Sequence, residues 1–165
     1  MAFPPSIRLV NLGIFLATVL AMLFALWLQY FQHLEPCPLC IFQRVAMIAT
    51  GVVALVAFLH GATGWMRRVY AGLTFLATVA GMVVAGRHVW LQHLPADEVP
   101  ACGPGLNYWL ETFPLHEVMA KVFKGSGECA VIDWTLFGFA LPTLTLAAFL
   151  GLGAVALWQL IRPAR

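Results

Sequence analysis

Charged side chains are scarce in this chain. Only 10% of its 165 residues are Asp, Glu, Lys or Arg and 62% are hydrophobic, whereas soluble domains carry about 25% charged residues. A soluble fold of this length has too small an interior for so much apolar surface, so the chain is not an ordinary soluble domain and is expected to lie in a lipid bilayer. The length predicts one domain, and the sequence contains no internal repeat or low-complexity tract.

A basic patch is also lacking. The formal net charge is only +2, and binding to nucleic acid depends on clustered Lys and Arg side chains that neutralise phosphates. We therefore expect the surroundings of this chain to be the lipid bilayer, and we expect no nucleic-acid partner.

Charge is almost absent from four long segments. A membrane-spanning helix needs about 20 apolar residues, and each segment is long enough. The predicted helices cover about residues 9–30, 38–59, 69–92 and 134–161. They predict an all-α membrane protein, a four-helix transmembrane bundle in a single integral membrane domain (1–165), with an outer loop over about 93–133. Pro142 lies inside the fourth predicted helix, where it predicts a kink.

Acidic residues are missing from one side of this predicted bundle. That side carries only the basic residues Arg8, Arg67, Arg68, Arg162 and Arg165, and all seven acidic residues fall on the other side. Because loops rich in Lys and Arg stay in the cytoplasm, we expect both termini to be cytoplasmic. All four cysteines then face outward, which for a bacterial inner membrane is the periplasm, where disulfides persist.

An amphipathic helix is predicted inside the outer loop. Its apolar residues recur at i, i+3, i+4, i+7 and i+8, namely Leu115, Val118, Met119, Val122 and Phe123. Pro114 suits the start of this helix and Gly125 its end. We expect the helix to lie in the membrane interface; the alternative is a small helix packed on the loop.

The first cysteine pair, Cys37 and Cys40, lies at the start of the second predicted helix. Pro38 biases Cys37 towards an extended backbone, and Cys40 falls in the first helical turn, where unpaired N–H groups stabilise a thiolate. Arg44 is four residues further on and therefore on the same face. This arrangement predicts a site for anionic intermediates near the membrane edge, where the polar head of a lipophilic quinone would lie.

Simpler interpretations of these residues stay open. Arg44 could be an anchor whose charge reaches the membrane boundary, and the cysteine pair could be a static disulfide or half of a zinc site. Structural zinc usually takes two close ligand pairs, and the remaining cysteines do not form a second Cys-x-x-Cys. We therefore expect no metal.

The second cysteine pair, Cys102 and Cys129, lies in glycine-rich stretches of the outer loop that we expect to be flexible and exposed. The two residues are 27 positions apart, and a disulfide closing such a loop is worth about 3.5 kcal/mol in the chain-entropy model. This pair could be a structural staple. Alternatively it could relay electrons from a soluble thiol protein to the first pair through mixed disulfides.

These motifs resemble those of the DsbB family, bacterial inner-membrane proteins of disulfide formation. The resemblance extends over nearly the whole chain: four helices, the segment Cys37-Pro38-Leu39-Cys40-Ile41-Phe42-Gln43-Arg44, and the loop segment Ser126-Gly127-Glu128-Cys129. It implies that Cys102 forms a mixed disulfide with a DsbA-like partner and that Cys129 exchanges with Cys37. It also implies that Cys40 contacts the quinone.

The resemblance further implies roles for basic residues. Arg44 would bind and polarise the quinone, and His88, at the outer end of the third helix, resembles a histidine near the family's quinone site. The alternative for His88 is an interfacial histidine beside Trp90. Arg87 and His93 are weaker candidates.

The function that follows is a protein-dithiol:quinone oxidoreductase. It would oxidise a DsbA-like periplasmic protein and pass the electrons through Cys102–Cys129 and Cys37–Cys40 to ubiquinone or menaquinone in the membrane. One alternative is a thiol–quinone enzyme of the vitamin K epoxide reductase type, in which the active pair is expected late in the bundle. The other is a membrane scaffold, without enzymatic activity, whose disulfides stiffen the loop.

Overall fold

Four long helices form the body of the protein, as the sequence predicts. The computed structural model describes residues 6–61, 63–95, 97–103 and 105–162. The long helices are α1 (Ile7–Phe31), α2 (Pro38–His60), α3 (Gly64–Gln92) and α6 (Leu141–Ile161), and the loop adds α4 (Leu106–Thr112) and α5 (Leu115–Lys124). By length and composition all four long helices can cross a membrane, with mean hydropathies between 1.8 and 2.4.

The bundle is built by close packing at small residues. Helix α3 lies between α2 and α6, and α2 in turn packs against α1. A methyl group at Gly81 would overlap the ring of Phe149, and one at Gly51 would overlap the side chain of Thr18. These glycines let the helices approach closely, which is how helices associate where lipid removes the hydrophobic driving force.

The two ends of the bundle differ in chemistry. At one end, which we call the arginine end, Arg8 donates to the carbonyl of Phe58 and Arg67 to that of Arg162. The opposite end, which we call the cysteine end, carries Cys37 and the loop between α3 and α6.

Helix α5 covers the cysteine end. It begins and ends where the sequence predicts, with Pro114 before it and Gly125 after it. Val118 and Val122 are fully buried and pack in a cluster with Leu39 and Leu91. Two of its apolar side chains are therefore covered by protein, whereas Leu115 stays 68% exposed. The helix packs on the bundle, and its place in the membrane interface stays a prediction.

The predicted start of the last helix is wrong. Helix α6 begins at Leu141 rather than residue 134, because Thr135–Leu136 and Phe139–Ala140 form a small antiparallel hairpin. Phe137 and Gly138 both have positive φ, at 51° and 84°, as a two-residue hairpin turn requires. The loop consequently extends to residue 140.

Pro142 does not kink α6, which corrects a second prediction. It lies in the first helical turn, where its missing N–H would be unpaired in any residue. Helix α3 also begins earlier than predicted, at Gly64 rather than residue 69, and so includes Arg67 and Arg68. A charged residue interrupts an apolar segment of sequence but does not end the helix, because a long Arg side chain can extend to the membrane edge.

Candidate active site

The first cysteine pair occupies the start of α2. Cys37 is the N-cap, with the extended backbone predicted for the residue before Pro38 (φ −65°, ψ 165°). Its Sγ accepts a hydrogen bond from the backbone N–H of Cys40 at 3.4 Å. The sulfurs of Cys37 and Cys40 are 3.3 Å apart, so the pair is close enough for a disulfide to form with a small side-chain movement.

His88 of α3 faces both of these sulfurs. Its Nε2 lies 3.8 Å from Sγ of Cys37 and its Nδ1 lies 3.9 Å from Sγ of Cys40. The side chain is only 3% exposed, so the alternative prediction of an interfacial histidine beside Trp90 is wrong. His88 lies within the bundle because the face of α3 that carries it packs against the first turn of α2.

Gln43 fixes the imidazole of His88. Its Nε2 donates a hydrogen bond of 3.0 Å to Nδ1 of His88. With Nδ1 accepting, a neutral imidazole carries its proton on Nε2, the nitrogen that faces Cys37. Sequence reasoning assigned no role to Gln43, although its position three residues after Cys40 on an otherwise apolar turn marks it as facing the same site.

Cys129 is buried against the first pair. It lies in a 3₁₀ turn, Gly127–Cys129, and is 1% exposed. Its Sγ, Sγ of Cys37 and a ring nitrogen of His88 all lie within 4.8 Å of one another. The expectation that Cys129 is exposed is therefore wrong, because α5 folds back over the bundle and carries the following turn inward.

The surroundings of Cys129 hold its thiol protonated. A hydrogen bond to Cys37 and, next, burial raise the pKa of Cys129 well above its ordinary value. The thiol form of Cys129 is therefore favoured over the thiolate.

Cys102 lies on the outer surface next to Cys129's turn. It is exposed, and a methyl group added at Gly127 would come within 2.9 Å of its Sγ. The N–H of Gly127 donates to the carbonyl of Ala101. All four cysteines are free thiols in this structure. Cys102 is thus reachable from solvent and close in space to the turn of Cys129.

Arg44 points into a cleft beside Cys40. Its guanidinium donates to the side-chain oxygen of Gln29 and to the carbonyl of Ala25, both on α1. This inward direction disagrees with the alternative in which Arg44 is an anchor reaching for the membrane boundary. Gln29, the partner of Arg44, is a second residue that sequence reasoning missed.

The cleft has a volume of about 1210 Å³ and is lined by α1, α2 and α6 together with loop residues, among them Glu35, Glu128 and Asp133. Its walls include Leu28, Ile41 and Thr145, and Cys40 and Arg44 both line it. An apolar cleft with a few converging polar groups is the usual form of a small-molecule site. These residues fit the polar head of a quinone, because guanidinium N–H groups can donate to its oxygens.

The two weaker candidates lie elsewhere. Arg87 donates to the carbonyls of Phe123 and Lys124 at 2.8 and 2.9 Å, and it stacks 4.0 Å above the ring of Trp90. It therefore holds the C-terminus of α5 onto α3. The exposed His93 makes a contact to the carbonyl of Val89. Neither residue lines the cleft.

The sequence comparisons agree with one family. A family model described as "Disulfide bond formation protein DsbB" matches residues 7–159. A protein named "Disulfide bond formation protein B" from Acinetobacter baumannii is 54% identical over 158 residues, covering 95% of this chain and 92% of that protein. Proteins of the same name from Nitrosococcus oceani and Azoarcus sp. are 53% and 45% identical, covering 92% and 97% of this chain and 89% and 96% of their own lengths.

Proposed function

This chain belongs to the DsbB family of disulfide bond formation proteins, and from that membership we propose that it is a protein-dithiol:quinone oxidoreductase. Membership itself establishes a multi-pass membrane protein of disulfide bond formation. The dithiol substrate that we propose is a DsbA-like periplasmic protein, and the acceptor is ubiquinone or menaquinone of the membrane.

One observation supports the proposal above all others: three sulfurs lead from the loop to the cleft. Cys129 adjoins Cys37, Cys37 is 3.3 Å from Cys40, and Cys40 lines the cleft beside Arg44. Thiol–disulfide exchange needs an attacking sulfur in contact with the disulfide. A scaffold with static disulfides needs neither this series nor the cleft.

The relay that we propose conserves electrons at each exchange. A partner thiolate attacks Cys102 of a Cys102–Cys129 disulfide, forming a mixed disulfide and releasing Cys129. Cys129 then attacks Cys37 of the Cys37–Cys40 disulfide, and the sulfur of Cys40 leaves with the electron pair. The second partner thiolate resolves the mixed disulfide and releases Cys102. Cys102 attacks Cys129, which restores the loop disulfide and leaves Cys37 and Cys40 as the reduced pair.

The reduced pair is then oxidised from the cleft. A bound quinone supplies an acceptor for two electrons and two protons. The dipole of α2 and the guanidinium of Arg44 stabilise negative charge on Cys40. His88 is placed to exchange a proton with Cys37 through Nε2, 3.8 Å away. Helix α5 lies over this end of the bundle and excludes water from it, since Val118 and Val122 are fully buried.

The orientation that we propose is that of the inner membrane with both termini in the cytoplasm. Arg8, Arg67 and Arg162 gather at the arginine end, which is the cytoplasmic side by the positive-inside rule. The cysteine end then faces the periplasm, where a dithiol partner can reach the exposed Cys102.

The test is quinone reduction by purified protein with a reduced DsbA-like partner and a water-soluble ubiquinone analogue. We expect loss of quinone absorbance in step with loss of partner thiols, and we expect Cys40→Ser to abolish it while the protein stays monodisperse. His93→Ala is the matched control, since this residue lies outside the cleft. Wild-type protein that oxidises the partner without consuming quinone would contradict the proposal.

A further inference from the structure

Three metal-binding side chains converge at the cysteine end. The Sγ atoms of Cys37 and Cys129 and a ring nitrogen of His88 lie within 4.8 Å of one another. Cys129 and His88 are 1% and 3% exposed, so both ligands are held inside the protein. Cysteine thiolates and histidine imidazoles are the usual ligands of structural Zn²⁺ sites in proteins.

The distances suit a tetrahedral ion. With Zn–S near 2.3 Å and Zn–N near 2.0–2.1 Å, neighbouring ligand atoms of a tetrahedral site are about 3.5–3.8 Å apart. Nε2 of His88 is 3.8 Å from Sγ of Cys37, and the other separations among the three ligand atoms are at most 4.8 Å. Sγ of Cys40, 3.3 Å from Sγ of Cys37, can supply the fourth ligand, or that position can take a water molecule.

Gln43 provides the support that a metal-binding histidine needs. Its contact engages Nδ1 of His88 and leaves Nε2 towards the sulfurs. A histidine that binds metal through Nε2 carries a proton on Nδ1 and donates it to a neighbouring acceptor. A half-turn of the Gln43 amide presents Oε1 for this purpose without moving the backbone.

We propose that the fully reduced protein binds one Zn²⁺ through Cys37, Cys129 and His88, and that oxidation of the cysteines abolishes the site. Binding replaces the two thiol protons with the metal and releases them to solvent, with no change in oxidation state. A disulfide sulfur is no longer a thiolate ligand, so either disulfide of the relay removes a ligand. Zinc would therefore trap the reduced enzyme and block its reoxidation.

The proposal extends the function of the site but does not rest on quinone chemistry, because binding is measured without quinone or partner. Purified, quinone-free protein is reduced under anoxic conditions and titrated with Zn²⁺ against a chromogenic chelator. We expect one equivalent bound by reduced protein, none by oxidised protein, and recovery of binding on renewed reduction. Equal binding by both redox forms, or none by either, would overturn the proposal.

Variants locate the ion. Cys129→Ser and His88→Ala should each lose stoichiometric binding, whereas Cys102→Ser and His93→Ala should retain it, because these two residues lie outside the cluster. Gln43→Met should weaken binding roughly 10–100-fold, as loss of a group supporting a metal-bound histidine does. Replacing Zn²⁺ with Co²⁺ gives a second readout, since tetrahedral thiolate coordination produces strong visible bands. Loss of binding in Cys102→Ser but not in Cys129→Ser would refute the assignment.

Discussion

Gln43 and His88 join α2 to α3 through a hydrogen bond of 3.0 Å placed directly beside the first cysteine pair. Both side chains are buried, at 5% and 3% exposure. The bond turns Nε2 towards Cys37, and when the Gln43 amide donates to Nδ1 the neutral imidazole carries its proton on Nε2. The orientation of the histidine is therefore fixed by a neighbouring amide on α2.

Replacing Gln43 with Met should slow turnover while leaving binding of the dithiol partner nearly unchanged. The substitution keeps the volume of the side chain but leaves Nδ1 of His88 without its donor, an unpaired buried group that costs about 1–3 kcal/mol. We expect kcat to fall roughly tenfold or more, since about 1.4 kcal/mol corresponds to tenfold, with an unaltered KM for the partner.

A matched control exists at the opposite end of the bundle. Gln159 is equally buried, at 2% exposure, and its Nε2 has no hydrogen-bond partner within the described part of the chain. Gln159→Met should therefore leave kcat unchanged. Equal kinetic effects of the two substitutions would mean that buried amides matter here only for stability.

Replacing Arg44 with Ala should weaken the use of quinone more than the use of the dithiol partner. The guanidinium lines the cleft and is held there by Gln29 and Ala25, so its removal deprives the cleft of charge and hydrogen-bond donors. We expect KM for a soluble quinone to rise roughly tenfold, equivalent to about 1.4 kcal/mol, with KM for the partner unchanged. An unaltered KM for quinone with normal turnover would return Arg44 to the role of a membrane anchor.

Replacing Arg87 with Ala should loosen the loop without affecting the cleft. Its guanidinium makes hydrogen bonds to the last carbonyls of α5, an arrangement stabilised by the helix dipole. Loss of these bonds should raise the rate at which Cys129 of reduced protein is alkylated by roughly tenfold, since opening becomes easier by about 1.4 kcal/mol. KM for quinone should stay at the wild-type value, in contrast to the rise expected for Arg44→Ala. If Cys129 is alkylated no faster than in the wild-type protein, α5 is held by packing alone.

The raised pKa of Cys129 predicts an unusual pH profile. In reduced protein kept metal-free with a chelator, the hydrogen bond to Cys37 and burial raise the pKa above the ordinary 9.0. The reactive thiolate therefore stays a minor species, and alkylation of Cys129 should keep rising with pH beyond 9 without reaching a plateau. The measurement is the rate with iodoacetamide at each pH, followed by mass spectrometry.

A substitution checks the cause of this profile. Cys37→Ala removes the hydrogen bond and leaves the burial, so the profile of Cys129 should shift to lower pH. Because the shape of the profile is compared rather than the absolute rate, limited access to the buried sulfur does not affect the conclusion. A plateau below pH 9 in the wild-type protein would contradict the assigned environment.

The sequence predicts the four long helices well because their signal is local. An apolar segment of about 20 residues is recognisable without knowledge of its neighbours, and the periodicity of Val118 and Val122 likewise predicts α5. The start of α6 was missed for the same reason. Residues 134–140 carry no charge and continue the apolar segment without a break, and the positive φ angles at Phe137 and Gly138 turn them into a hairpin.

The chain by itself determined the spans, the location of Cys37 and Cys40 at a helix start, and the one-turn spacing to Arg44, since each depends on neighbours within a few positions. Tertiary structure alone decided that Cys129, 92 positions after Cys37, is buried against it, and that Gln43 holds His88 between the sulfurs. Contacts between distant residues depend on how helices pack and how a loop folds back. Periodicity and composition do not predict helix packing or the path of the loop, because they describe one element at a time.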